Sequence, residues 1–222
     1  RKGIYNRRSG KRQGENRDML KIGVMVSGGG TNLQAILDSI ADGRLPNCQV
    51  VTVVSSRPGV FALERAKAHN IPAEVISRKS FETLEAYDEA VIAHMKKHDV
   101  ELVVLAGFLS LLGEKFCNVY KNSIINVHPS LIPAFCGRGY YGIIPHKKAL
   151  EYGVKVTGAT VHFVEPEYDS GPIILQKAVE VMPGDTPETL QRRVMEQAEW
   201  KLLPEAIRLY SEGRLKISGR HV

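Results

Sequence analysis

The chain has 222 residues, 43% hydrophobic and 24% charged, which is enough apolar material for one sizeable core and excludes a wholly disordered protein. Its formal net charge of +6 suggests a nucleic-acid partner, but residues 1–18 hold seven basic and two acidic side chains, so that segment carries +5 and the remaining chain +1. A nearly neutral body speaks against a basic binding face. Three widely spaced cysteines without a Cys-x-x-Cys speak against a disulfide frame or a zinc site and fit a reducing, cytoplasmic setting.

Residues 1–18 contain no apolar run, which fits neither a secretory signal nor a membrane anchor, and no stretch reaches the length of a membrane span. They are expected to be a solvated basic arm or an expression leader, with residues 19–222 forming a single domain. From Leu20 the chain alternates short β-rich runs with helical ones. Strands are expected over Leu20–Val26, Gln49–Val54, Ala73–Ile76, Leu102–Leu105 and from Ile124, with helices over Leu33–Ala41, Phe61–His69, Phe81–Lys97 and Glu114–Tyr120. This rhythm predicts an α/β fold, a Rossmann-like, mostly parallel twisted sheet with helices on both faces.

After Pro133 the rhythm changes. A Gly- and Tyr-rich loop over residues 134–145 precedes a short helix at His146–Tyr152. The alternating run Val156–Val164 and the β-rich run Ile173–Val181 enclose an acidic loop, Glu165 to Pro172. Thr186 is the expected N-cap of a closing helix to Glu212, which the internal Pro204 should kink or split.

Two constellations carry chemistry. The turn Ser27-Gly28-Gly29-Gly30-Thr31-Asn32, between a strand and a helix, has the composition of an anion cradle, because glycines allow close backbone approach and the first amides of a helix point outward. It lacks the Gly-Lys-Ser/Thr of a nucleotide phosphate loop and the third glycine of a dinucleotide fingerprint, and a plain tight connection is the bland alternative. The second constellation is Asn126, His128 and Asp169. Asn126 and His128 interrupt the apolar strand Ile124-Ile125-Asn126-Val127-His128 two residues apart, so both point to one side, at the strand end where open α/β sheets place ligands. A carboxamide and an imidazolium can both donate to a developing oxyanion, and a carboxylate can orient the ring. With no serine or cysteine elbow and no His-Glu-x-x-His, these residues suit direct attack of an amine on a carbonyl carbon, with neither covalent enzyme intermediate nor metal. His162 suits a supporting role or a backbone-bonded core position, His146 begins a helix that can touch substrate, and Trp200 reads as packing.

The blocks Val26 to Ala35, Val103 to Phe108, Asn126 to Pro133 and Gly158 to Gln176 resemble, in order, the glycinamide ribonucleotide formyltransferase family, and the likeness runs from Leu20 to about Leu215. It implies formyl transfer from 10-formyltetrahydrofolate to the amine of glycinamide ribonucleotide, a step of purine biosynthesis, with Asn126, His128 and Asp169 catalytic. It further implies that Gly30, Thr31 and Asn32 bind the substrate phosphate and Glu199 the ribose. The folate would lie against Ser110, Leu111 and Leu112 and the loop from Val164 to Asp169, and the expected partners are these small molecules, with no nucleic acid or membrane, in a monomer or homodimer.

Departures from the family pattern are Ser110 where many members have arginine, Leu84 where some carry a phosphate-contacting arginine, a long 136–145 loop, and Ile144 at a frequent histidine position. Methionyl-tRNA formyltransferase, formyltetrahydrofolate hydrolase, a formyltransferase acting on another amine and a non-catalytic RNA-binding module are the alternatives. The first two usually carry a further domain.

Overall fold

The computed structural model describes residues 19–222, so the arm expected over residues 1–18 lies outside the described residues. Seven strands form one sheet: β1 (Leu20–Val26), β2 (Cys48–Ser55), β3 (Ala73–Val75), β4 (Leu102–Leu105), β5 (Ile124–His128), β6 (Val156–Phe163) and β7 (Ile173–Glu180). Their spatial order is β3-β2-β1-β4-β5-β6-β7. The first five are parallel, while β6 runs antiparallel to β5 and β7 antiparallel to β6. The helices are α1 (Thr31–Ala41), α2 (Phe61–Ala68), α3 (Leu84–Lys97), α4 (Glu114–Val119), α5 (Ile144–Tyr152), α6 (Pro187–Val194) and α7 (Trp200–Ser211).

Strand alternation sorts the apolar side chains into two cores. Ile22, Val24, Leu102, Val104, Ile125 and Val127 pack beneath α1, α2, α5, α6 and α7. Met25, Val54, Val103, Leu105 and Ile124 meet α3 and α4 on the other face. Gly23 lies on that second face, where a Cβ would come within 2.7 Å of the Met95 sulfur and 3.0 Å of a Val100 methyl, so a side chain there would have to displace those groups. Asn126 and His128 continue the Ile124 side of β5, past the end of the smaller core. The polar pair therefore begins where helix cover stops.

Four features differ from the sequence expectation for local physical reasons, and α5 also begins two residues early, at Ile144. α1 starts at Thr31, two residues early, because Gly30 adopts φ +73° and ends the turn at once. α3 starts at Leu84, since the Thr83 side chain accepts from the Ala86 N–H and caps it, while residues 78–80 form a 3-10 turn. β6 alternates in sequence but is buried at every residue after Val156, covered on both faces. The closing helix does divide, but at a π-turn over Met195–Glu199, ahead of Pro204, which stays inside α7. Proline lacks an N–H and crowds the carbonyl four residues back, here that of Trp200, so its effect falls within α7 and the π-turn before Trp200 is a separate feature. Thr186 caps α6 as expected, in a reciprocal box with Thr189.

Gly171 sits at the β6–β7 corner, where an added Cβ would collide with the Phe163 carbonyl oxygen, a backbone atom that cannot swing aside. Gly171→Ala is expected to lower the unfolding free energy by about 1–3 kcal/mol, read as a fall in the urea midpoint; an unchanged midpoint would show that the corner relaxes freely.

Candidate active site

Between β1 and β4 the chain changes its direction of travel across the sheet, and the connections leaving those neighbouring strands part. A cleft of ≈ 320 Å³ opens there, and every residue singled out from the sequence as catalytic, substrate-binding or folate-binding lines it.

At one end is the glycine turn. Gly28 and Gly29 face open space, whereas Gly30 is pressed against Ala62, to which a Cβ would come within 2.7 Å. The outward carbonyls are held from behind, that of Gly28 by the Ala62 N–H (3.1 Å) and that of Gly29 by Arg65 Nε (2.8 Å). This leaves the first amides of α1 for a ligand, since a helix has no internal partner for them. The cation beside the turn is therefore Arg65, which also donates to Gln34. Leu84, expected to mark a missing phosphate contact, is at the start of α3 near Gly113 and outside the cleft. Helix α2 reaches the turn only through the tertiary fold.

In the middle stand Asn126, His128 and Asp169. Asn126 pairs across the sheet with His162. The His162 Nδ1–H donates to the Phe163 carbonyl (2.8 Å), so Nε2 is the acceptor for an Asn126 Nδ2–H (3.1 Å). Burial lowers the His162 pKa, which keeps the ring in this neutral, accepting form. The second Asn126 N–H remains for the cleft. His128 Nε2–H donates to the Phe135 carbonyl (3.0 Å), and Nδ1 lies 3.6 Å from Asp169 Oδ2. Asp169 has φ +51°, a left-handed conformation uncommon outside glycine, and is anchored by the Gly137 N–H at 2.8 Å. His162 thus combines both roles considered for it, bonded to backbone and orienting Asn126.

Toward the other end, Leu105, Leu112 and Val164 extend the smaller core into the cleft as an apolar wall. Ser27 ties the two ends together: its Oγ accepts from the Leu109 N–H (2.8 Å) and pairs with Ser56 Oγ (2.6 Å). On the α6 side, Gln191, Met195 and Glu199 line the cleft. Their spacing of four was a legible helical signal for the first two, which the sequence reading passed over. Tyr140 and Tyr141 of the glycine-rich loop also line it. Asn32 Nδ2 donates to Glu199 Oε2 at 2.8 Å, and burial pushes the Glu199 pKa up to about 7. Among the described residues no cluster of three histidine, cysteine or acidic side chains could hold a metal ion, and no helix is long and apolar enough to cross a membrane.

The fold and cleft define an open α/β group-transfer enzyme, with an amide, an imidazole and a carboxylate gathered at the sheet's switch point beside an anion-binding turn. Residues 20–207 match the formyl transferase family model, and the chain belongs to that family. Among solved structures, glycinamide ribonucleotide transformylase 1 from Symbiobacterium toebii is 44% identical, with a TM-score of 0.87 over 95% of this chain and 98% of that one. Phosphoribosylglycinamide formyltransferase of Haemophilus influenzae is 38% identical over 90% of this chain and 91% of its own length. The trifunctional purine biosynthetic protein adenosine-3 of Chironomus tentans is 41% identical over 90% of this chain, which spans only 14% of that protein.

A free glutamate gives up its proton near pH 4.5, whereas folded Glu199 keeps it to about 7. Between these values the native state binds the extra proton, so its stability falls as pH rises and levels off above about 7. Glu199→Gln keeps an acceptor for Asn32 and removes this slope. Urea unfolding at stepped pH should show the wild-type and variant curves diverging by roughly 3 kcal/mol across the window; a wild-type slope in the variant would place the proton elsewhere.

Proposed function

We propose that this chain transfers the formyl group of 10-formyltetrahydrofolate to the primary amine of glycinamide ribonucleotide, as a cytoplasmic enzyme of purine biosynthesis. The observation that carries this reading is the meeting of Asn126, His128 and Asp169 in one cleft, between a glycine turn suited to a phosphate and an apolar wall suited to a flat ring. The chain would act on these two small molecules as a monomer or a homodimer. Three free cysteines, two of them buried, fit a reducing compartment.

The acceptor's phosphate sits on the amides of Gly30, Thr31 and Asn32, with Arg65 holding the turn, and its ribose faces Glu199. Folate fits along Leu112 and Val164, where the backbone of Ser110 to Leu112 and of the Val164 to Asp169 loop offers hydrogen bonds to the ring edge. The donor supplies the formyl carbon already bonded to nitrogen, as an activated amide. As the amine adds to that carbon, its carbonyl oxygen becomes an oxyanion, and the free N–H of Asn126 donates to it. Protonated His128 contributes through Nδ1. Its Nε2–H is committed to Phe135, and the 3.6 Å gap to Asp169 lets the Nδ1–H be shared between the carboxylate and the oxyanion. Asp169, through a water, takes the proton from the attacking nitrogen and returns one to the leaving folate nitrogen; the carbonyl then re-forms as the old C–N bond breaks.

Asn126→Ala and His128→Ala should each lower kcat by about 10²- to 10³-fold, followed spectroscopically as folate product; near-normal turnover in either variant would refute the assignment. Asp169→Asn should be comparably slow and lose the wild-type pH profile. In the wild-type protein, folate product must depend on glycinamide ribonucleotide, since equal turnover without it would mean a hydrolase.

A further inference from the structure

His146 lies in the first turn of α5, directly after Pro145, and is only 1% exposed. It lines the cleft, yet neither Nδ1 nor Nε2 has a hydrogen-bond partner. Burial and the neighbouring His128 push its pKa down to about 4, so at neutral pH the ring carries one N–H and one bare lone pair. Orphaned buried donors and acceptors are costly and rare in native chains. Five buried side-chain atoms among the described residues lack a partner, and three of them, both His146 nitrogens and Asn32 Oδ1, belong to cleft residues. The orphans gather where a ligand would sit.

Helix α5 packs against α6, the element that brings Gln191 to the cleft and leads into Met195 and Glu199. His146 is therefore on the acceptor side, beside the imidazole placed at the reacting carbon. The part of an acceptor within its reach is the part bonded to the attacking amine, which in a glycinamide is a carboxamide. That group offers both an N–H and a carbonyl, so it can fill whichever of the two diverging ring nitrogens faces it, in either tautomer of the ring. We propose that His146 binds the carboxamide of the acceptor and so selects a glycinamide over amines that lack one. This rests on the acceptor assigned above.

The test compares wild type, His146→Phe and His146→Gln by steady-state kinetics, with ribose 5-phosphate as a competitive probe that lacks the glycinamide, and by thermal unfolding without ligand. His146→Phe should raise the acceptor KM by about tenfold or more, leave the folate KM and the ribose 5-phosphate Ki within about twofold, and unfold at an equal or higher temperature because the two orphans are gone. His146→Gln, which restores a donor and an acceptor, should recover part of the acceptor KM. Should the larger Phe ring not fit, His146→Leu makes the same removal. An unchanged acceptor KM overturns the proposal, as does an equal loss of ribose 5-phosphate binding, which would mean that the ring only shapes the cleft. Wild-type turnover that ignores the acceptor would instead overturn the acceptor reading itself.

Discussion

The connections after β1 and β4 leave adjacent parallel strands in opposite directions, so no helix crosses the sheet edge between them. That gap is the constraint on which the cleft depends. It places the N-terminus of α1, with its unpartnered amides, opposite the loop that follows β4, and it leaves the end of β5 uncovered beside them. Ser27 spans the opening with one hydroxyl, so the turn suited to an anion and the wall suited to a ring are parts of a single rigid frame.

Inside that frame, polar groups are held by partners that assign each nitrogen a role. The Phe163 carbonyl sets the His162 tautomer, His162 orients Asn126, and the Phe135 carbonyl accepts from His128 Nε2. What remains directed at the cleft is one amide N–H, one imidazole nitrogen and one carboxylate. Pre-organised donors of this kind need little rearrangement as charge develops, which is where electrostatic catalysis gains most. The same enclosure raises the Glu199 pKa and lowers that of His146, favouring the neutral form of each.

Much of this was legible in residue order. Strand and helix periodicity located nearly every element, because burial on a sheet or against a helix imposes periods of 2 and 3.6 on apolar residues. The polar pair in an apolar strand pointed to Asn126 and His128, and Gly28 to Asn32 announced the turn. The misreadings arose where local signals compete with packing. Leu84, noted where some family members carry a phosphate-contacting arginine, lies outside the cleft, while the cation beside the turn, Arg65, comes from a different helix. Pro204 was expected to kink or split the closing helix, but it lies inside an unbroken α7, and the helix divides upstream at residues 195–199.

By itself the sequence determined the fold class, the element order and the residue types able to stabilise an oxyanion, since these follow from periodicity and side-chain chemistry. The tertiary structure alone decided the antiparallel run of β6 and β7, the commitment of His128 Nε2 to a backbone carbonyl seven residues on, the approach of Arg65 to the glycine turn and the unpartnered state of His146. Each of these depends on the distance between groups that no local pattern relates, and only the closed packing of both cores sets such distances.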